Sequence, residues 1–258
     1  MDNPKKQGHS NNKIGTGRCR RATCKYGKSL FINRNFLFMT RLYLNQTLAH
    51  EQLVELTKEQ RHYLEKVLRF QSGASFLGFN QTAGEWKIVY EKPTYRCVEQ
   101  TRKSDPIEPS WLAFAPLKHD PMTFLIEKVT ELGVTNLQPV ITERTNSQRV
   151  NLERLQKNAI EAAQQCERLD VPTVHEPLNL NTFLQNLPKE VQWYGAIERG
   201  TEKSFKIDCP AGFIIGPEGG WSEKEKQLLK AHTANISFGS NILRAETAAL
   251  VCLSLKFR

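Results

Sequence analysis

The chain has 258 residues, of which 39% are hydrophobic and 24% are charged, as in an ordinary soluble globular protein. No stretch approaches the roughly 20 consecutive apolar residues that a membrane-spanning helix needs, so the sequence indicates no membrane partner. The net charge of +9 suggests a nucleic-acid partner until its location along the chain is considered.

Residues 1–38 hold most of the positive charge. They contain nine Lys or Arg and one acid, Asp2, which leaves 27 basic and 26 acidic residues in 39–258. The lack of apolar periodicity in 1–38 predicts a disordered basic extension. Three interpretations remain open: a basic tail, an organelle transit peptide, or an upstream extension of a chain that starts at Met39. RNA binding by the nearly neutral remainder must depend on local patches.

Residues 39–104 are rich in short β-type segments separated by turn residues. The segment TKEQRHYLEKVLRF (57–70) among them has the periodicity of a short helix. This pattern predicts a small β-barrel that ends before a linker with two prolines, TRKSDPIEPS (101–110). The β-type segments are TRLYL (40–44), ASFLGFN (74–80), EWKIVYEKP (85–93) and YRCVEQ (95–100).

Strands and helices alternate through residues 105–258, which predicts an α/β domain with a mostly parallel sheet. Asp120 as N-cap, Pro121 and Gly133 delimit the first helix, and Ser222 with Glu225 forms a capping box at a later one. The predicted strands are 111–116, 137–142, 191–197, 212–216 and 235–238, and the predicted helices are 120–133, 151–169, one from Ser222 and one from about Glu246.

Three loops follow predicted strands of this sheet, at 196–200, 216–220 and 238–245. Ligands of parallel α/β sheets bind where strands end at the carboxyl edge. The nucleotide patterns GxGxxG and GxxxxGK[ST] are absent, and Glu218 would repel phosphate but suit a cationic ligand. The alternative for Gly-Pro-Glu-Gly-Gly alone is a plain tight turn before a helix.

The six cysteines form no CxxC pair and no zinc-type set with histidines. Their scatter predicts free thiols in a reducing, cytoplasmic compartment and no metal site.

The segments IIGPEGGWSEKE (214–225) and FGSNILRAETAAL (238–250) resemble the paired C-terminal motifs of the SPOUT methyltransferases, and among them the RsmE family. KHDPMTFLIEKVTELGV (118–134), ITERT (141–145) and EAAQQCERLDVP (161–172) match further motifs of that family. The N-terminal part from Met39 resembles its PUA-like RNA-binding barrel. Glu167 and Ala245 depart from the residues common there.

The resemblance implies a trefoil-knotted α/β domain over 105–258 after a PUA-like barrel over 39–104, a homodimer, and S-adenosylmethionine as cofactor. It implies methylation of N3 of a uridine in 16S ribosomal RNA or the small subunit. Arg244 is the candidate that stabilises negative charge on the uracil, and Glu246 either orients Arg244 or accepts the proton. The expected cofactor contacts are Ile197, Gly216, Glu218, Gly220, Phe238, Gly239, Ile242, Leu243 and Thr247.

Five basic residues match basic positions of the family motifs and are expected to contact RNA phosphates. Two rival functions stay open, a ribose 2′-O-methyltransferase of the same superfamily and a non-catalytic RNA-binding assembly protein. For Arg244 and Glu246 the alternative is a structural ion pair at a helix start. The five are Arg41, Arg69, Lys118, Arg144 and Arg168.

Overall fold

The computed structural model describes residues 39–145, 149–197, 207 and 210–255. The predictions for residues 1–38 and for most of the 196–200 loop lie outside this part of the chain. The strands are β1 (Arg41–Tyr43), β2 (Ser75–Asn80), β3 (Gly84–Glu91), β4 (Thr94–Arg102), β5 (Ser110–Phe114), β6 (Asn136–Ile141), β7 (Thr173–Val174), β8 (Leu178–Asn179), β9 (Gln192–Ala196), β10 (Ala211–Ile215) and β11 (Ala234–Ile236). The helices are α1 (Lys58–His62), which a π-helical turn (Tyr63–Val67) continues, α2 (His119–Glu131), α3 (Leu152–Gln165), α4 (Leu180–Gln185), α5 (Glu223–His232) and α6 (Ala245–Ser254).

The first four strands form one sheet in the order β1-β2-β3-β4. β1 is parallel to β2, and the other two pairs are antiparallel. Its buried face carries apolar side chains such as Phe76, Ile88 and Tyr95, and Leu64 of the π-helical turn packs with them. The β-rich N-terminal part is confirmed as a mostly antiparallel sheet, and the PUA-like barrel remains a prediction.

The second sheet contains seven strands in the order β11-β9-β10-β5-β6-β7, with β8 also pairing with β6. Every pair described in it is parallel. All five residues of the inner strand β10 are buried, as expected where both faces of a parallel sheet are covered. The predicted α/β class with a mostly parallel sheet is confirmed.

Helices cover both faces of this sheet because side chains alternate along its strands. On β5, Leu112 and Phe114 pack with α2, α3 and α6, whereas Ala113 packs with α4 and α5. The two cores place α2, α3 and α6 on one side and α4 and α5 on the other. Among the described residues no helix is long and apolar enough to cross a bilayer.

Arg41 joins the first sheet to the end of α3. Its Nε lies 2.7 Å from Glu85 Oε2, and both side chains are almost fully buried, at 6% and 5% exposure. The guanidinium also donates to the carbonyls of Ala163 and Gln164 at 3.3 and 3.1 Å. The expectation that Arg41 contacts RNA is therefore wrong, because its guanidinium faces protein acceptors inside the fold.

The expectation that Arg168 contacts RNA is wrong for the same reason. It donates through Nε to Asp170 Oδ1 at 3.0 Å and through a terminal nitrogen to the carbonyl of Val134 at 2.8 Å. It also donates to the carbonyl of Thr130, near the end of α2. A cation is favoured there by the helix dipole, so Arg168 caps α2 and is not available to phosphates.

Three local predictions differ from the structure. The N-cap of α2 is Lys118 and not Asp120, because the amide of Met122 already bonds to the carbonyl of Lys118 at 3.0 Å. α3 ends at Gln165 and not at 169, since Glu167 adopts a left-handed φ of 61°. The short elements β7, β8 and α4 have no counterpart in the predictions.

The last strand of the first sheet ends at Arg102, and the first strand of the second begins at Ser110. The segment between them overlaps the predicted linker. Residues from Met39 onward nevertheless cluster as one compact unit. The division into domains at 104/105 remains a proposal.

Candidate functional site

Three loops meet at one edge of the parallel sheet. They follow β9, β10 and β11, which end at Ala196, Ile215 and Ile236. These strands are consecutive neighbours and all parallel, so their carboxyl ends point the same way. The strand ends, with the adjoining loop residues that the structure describes, therefore come together in space although up to 40 residues separate the strand ends in the sequence.

A cavity of about 840 Å³ lies between the three loops. It collects most of the predicted cofactor residues together with Arg244. Thr247 and Glu246 lie in the first turn of α6 and do not line it. The predicted residues that line the cavity are Ile197, Gly216, Glu218, Gly220, Phe238, Gly239, Ile242, Leu243 and Arg244.

Trp221 forms a fixed wall of this cavity. Its side chain is buried, and its indole N–H donates to the carbonyl of Ala196 at 2.8 Å, which ties the end of β9 to the loop after β10. A Cβ on Gly216 would lie 2.7 Å from the indole ring. Gly216 is therefore required for the tryptophan to pack here. The sequence interpretation missed Trp221, although it directly follows the glycine pair.

Two further glycines adopt backbone conformations that L side chains rarely populate. Gly220 has φ of 69° and Gly239 has φ of 92°, and open space lies around both. The amide of Gly220 donates to the carbonyl of Pro217 at 2.9 Å, closing a tight turn. Both glycines line the cavity, Gly220 at an exposed position and Gly239 at a buried one.

Glu225 holds the loop after β6 against the loop after β10. Its carboxylate accepts from the backbone amides of Ser222 and Glu143, both at 2.8 Å. The amide of Glu225 in turn donates to the Ser222 hydroxyl, which confirms the predicted capping box. The buried carboxylate is thus both a helix cap and a clamp between two loops.

Cationic side chains surround the mouth of the cavity. Arg144 lines it and donates to the carbonyl of Gly219 at 3.0 Å, so this predicted RNA contact lies beside the loop after β10. Lys226 also lines it and pairs with Glu223 at 2.7 Å. The hydrogen bond from Lys226 lowers the pKa of the Glu223 carboxyl.

Arg244 is the N-cap residue of α6 and is exposed. Within the described part of the chain it makes no ion pair, and none joins it to Glu246. The guanidinium is therefore available at the cavity.

The remaining predicted RNA contacts are exposed. Lys118 precedes α2 and lines a neighbouring cleft. Arg69 follows the π-helical turn with a left-handed φ of 55°. Their contact with RNA remains a prediction.

Comparison with known proteins adds the family. The model of the RNA methyltransferase domain matches residues 103–256. The ribosomal RNA small subunit methyltransferase E of Rickettsia conorii is 33% identical over 227 residues, covering 83% of this chain and 93% of the relative. The same enzyme of Synechocystis is 33% identical, covering 80% of this chain and 74% of the relative.

Solved structures support the same family. The ribosomal RNA small subunit methyltransferase E of Neisseria gonorrhoeae, bound to S-adenosyl methionine, superposes with a TM-score of 0.73 and 31% identity over 84% of this chain and 95% of that one. A Legionella pneumophila structure in complex with the cofactor SAM gives a TM-score of 0.75 at 27% identity, covering 85% and 97%. The sheet, the loops and these relatives together assign the chain: it belongs to the family of the ribosomal RNA small subunit methyltransferases E, the RsmE family of RNA methyltransferases.

Proposed function

We propose that this protein transfers a methyl group from S-adenosylmethionine to N3 of a uridine in 16S ribosomal RNA. The observation that carries the proposal is the cavity enclosed by the three loops at the carboxyl edge of the parallel sheet. The family and the cofactor-bound relatives support it.

The residues at the cavity fit S-adenosylmethionine. Its volume, about 840 Å³, lies within the range of small-molecule sites. Apolar side chains such as Ile197 and Leu243 suit an adenine ring, and the backbone of Gly216 and Gly220, which line the cavity, suits its polar edges. The exposed carboxylate of Glu218 suits a cationic ligand. When bound, the cofactor supplies a methyl group on a sulfonium, whose carbon–sulfur bond breaks and leaves its electron pair on sulfur.

The residues of this chain must bind the uracil that accepts the methyl group and stabilise its change in charge. Uracil N3 forms a bond to the methyl carbon and loses its proton, and negative charge develops on O2 and O4. Arg244 lines the cavity, is exposed and has no ion-pair partner in the described part of the chain, which supports our proposal that its guanidinium stabilises that charge. Glu246 lies two residues further on in the first turn of α6 and is the candidate that accepts the proton or orients Arg244.

The direct test uses small ribosomal subunits from cells that lack this protein. We expect the purified protein and S-adenosylmethionine to add one methyl group, which nuclease digestion and mass spectrometry locate on the uracil base. A methyl group on ribose would favour a 2′-O-methyltransferase of the same superfamily. Failure to bind the cofactor in calorimetry would favour a non-catalytic RNA-binding protein.

We further propose that the protein acts in the cytoplasm as a homodimer, with residues 39–104 as an RNA-binding domain and 105–258 as the catalytic domain. Exposed apolar side chains support an interface between copies, since Ile242 at the cavity is 75% exposed and Phe124 on α2 is 45% exposed. Light scattering of the purified protein tests the dimer, and a monomer at micromolar concentration would contradict it.

A further inference from the structure

A second cleft, of about 580 Å³, opens beside the cavity that we assign to the methyl donor. Glu218 lines both, so the two spaces share a wall. The rest of the cleft comes from the segment between β5 and α2, from residues 149–151 just before α3, and from the first turns of α2 and α3. A methyl acceptor has to reach the donor, and this cleft lies directly next to the donor cavity.

The lining of the cleft is locally basic. Lys118, Arg149 and Arg154 face it, against the carboxylates of Asp120 and Glu218. The Lys118 side chain is exposed and has no hydrogen bond or ion pair within the described residues. Residues 39–258 have a net charge near zero, so three cations around one small cleft form a local positive patch of the kind that attracts phosphate.

Local structure holds these groups in place. The Arg154 guanidinium donates to the Thr123 hydroxyl of α2 at 3.2 Å, which fixes it between the two helices. Lys118 is the N-cap residue of α2, and Asn151 caps α3 by accepting from the amide of Arg154 at 3.0 Å. The partial positive charge at the start of both helices adds to that of the cationic side chains.

Glu218 indicates where the base lies, because Glu218 lines both the cleft and the donor cavity. Its carboxylate repels phosphate, but a carboxylate accepts hydrogen bonds from the N–H groups of a neutral base. Phosphates then belong on the side of Lys118, Arg149 and Arg154, and the base belongs towards Glu218, next to the donor cavity.

We propose that this cleft is the acceptor site, in which phosphates beside the target nucleotide contact Lys118, Arg149 and Arg154 while the base lies towards Glu218. The inference rests on the proposed function and adds to it the location of the RNA. Phosphate contacts of this kind position the strand and do not read its sequence.

The test measures RNA binding without cofactor. Lys118→Ala and Arg149→Ala, singly and together, are titrated with a fluorescein-labelled, uridine-rich single-stranded RNA over a range of salt concentrations. We expect each substitution to weaken binding several-fold at low salt and to reduce the slope of log affinity against log salt by about 0.7. Lys157→Ala is the matched control, because Lys157 is exposed on α3, carries the same charge and lines neither cavity.

Two further measurements separate the acceptor cleft from the proposed function. Calorimetry with S-adenosylmethionine should give the same affinity for the cleft variants as for the unchanged protein, and their melting temperatures should match that of Lys157→Ala. If the unchanged protein binds no cofactor and methylates no RNA, the proposed function fails. If the unchanged protein binds the cofactor and methylates RNA, but the cleft variants keep the RNA affinity and salt slope of Lys157→Ala, the proposal that this cleft is the acceptor site is overturned. Should Arg149→Ala melt early, Lys118→Glu takes its place at an exposed position, and this charge reversal must weaken RNA binding more than Lys118→Ala does.

Discussion

Arg41 and Arg244 show how little residue type says about the role of a single arginine. Both lie in segments that resemble family motifs. Arg41 is buried against Glu85 and the end of α3, whereas Arg244 is exposed at the cavity. The acceptors of Arg41 lie 44 to 127 residues away in the sequence, so local pattern cannot reveal them. The catalytic role of Arg244 rests on the resemblance of residues 238–250 to a family motif and stays a prediction, whereas its place at the cavity follows from the loop after β11.

We expect Arg244→Ala to retain the fold and the affinity for S-adenosylmethionine but to lose methyl transfer. The reason is that the guanidinium stabilises charge that develops on the uracil, and removing one such group typically lowers kcat about 10²- to 10³-fold. Single-turnover methylation with labelled cofactor measures this, with Arg244→Lys expected to recover part of the rate. Turnover near that of the unchanged protein would remove Arg244 from the mechanism.

We expect Gly216→Ala to weaken cofactor binding. The new Cβ would meet the indole of Trp221 at 2.7 Å, and the ring cannot retreat without losing its hydrogen bond to Ala196. Overpacking of this kind costs about 1–3 kcal/mol, enough to lower affinity roughly tenfold or more if the strain is relieved by moving the cavity wall. Calorimetry measures the affinity.

Gly219→Ala is the control for this prediction, because it lies in the same loop and its Cβ would meet Arg144 at a milder 3.2 Å. Equal effects of the two substitutions would show that the loop, and not the Gly216–Trp221 contact, sets the affinity.

At the scale of elements, periodicity and capping residues found most of the second sheet and its helices. Ser222 and Glu225 predict the start of α5 correctly because a capping box is a local device. β7, β8 and α4 were missed since strands of two residues and a helix of six are too short to show a period. The second function of Glu225, as a clamp on the loop after β6, depends on Glu143, 82 residues away, and leaves no local signal.

We expect Glu225→Gln to loosen the loops at the cavity. An amide can accept through only one of its two ends, so either the buried bond to the amide of Ser222 or the half-buried bond to the amide of Glu143 would be lost, at a cost of about 1–3 kcal/mol. Urea unfolding measures the loss, and cofactor affinity should fall with it. Glu223→Gln, in the same helical turn but exposed, should change both very little. Unchanged stability and affinity in Glu225→Gln would contradict the clamp.

At the scale of the whole molecule, two sheets with separate cores lie in one compact unit. The sequence predicts the two parts through their different patterns, β-rich before residue 104 and alternating after it. It does not predict how Arg41 joins them, because this buried cation is held by Glu85 and donates to carbonyls at the distant end of α3. Generic fold rules also give no hint of the trefoil knot that the family resemblance implies, since knots are nearly absent from proteins.

We expect the buried ion pair between Arg41 and Glu85 to govern the global stability of the fold. Arg41→Ala should lower the free energy of unfolding by about 3–5 kcal/mol, because it leaves the buried Glu85 carboxylate without its cation. Urea unfolding measures the loss. Arg102→Ala is the matched control, because both Arg41 and Arg102 donate to the carbonyl of Glu167, at 3.4 and 2.8 Å, but Arg102 is exposed. The double variant Arg41→Met with Glu85→Gln should recover much of the loss, since the penalty comes from the unpaired charge. Equal losses in Arg41→Ala and Arg102→Ala would show that contacts with the end of α3, and not the buried ion pair, set the stability.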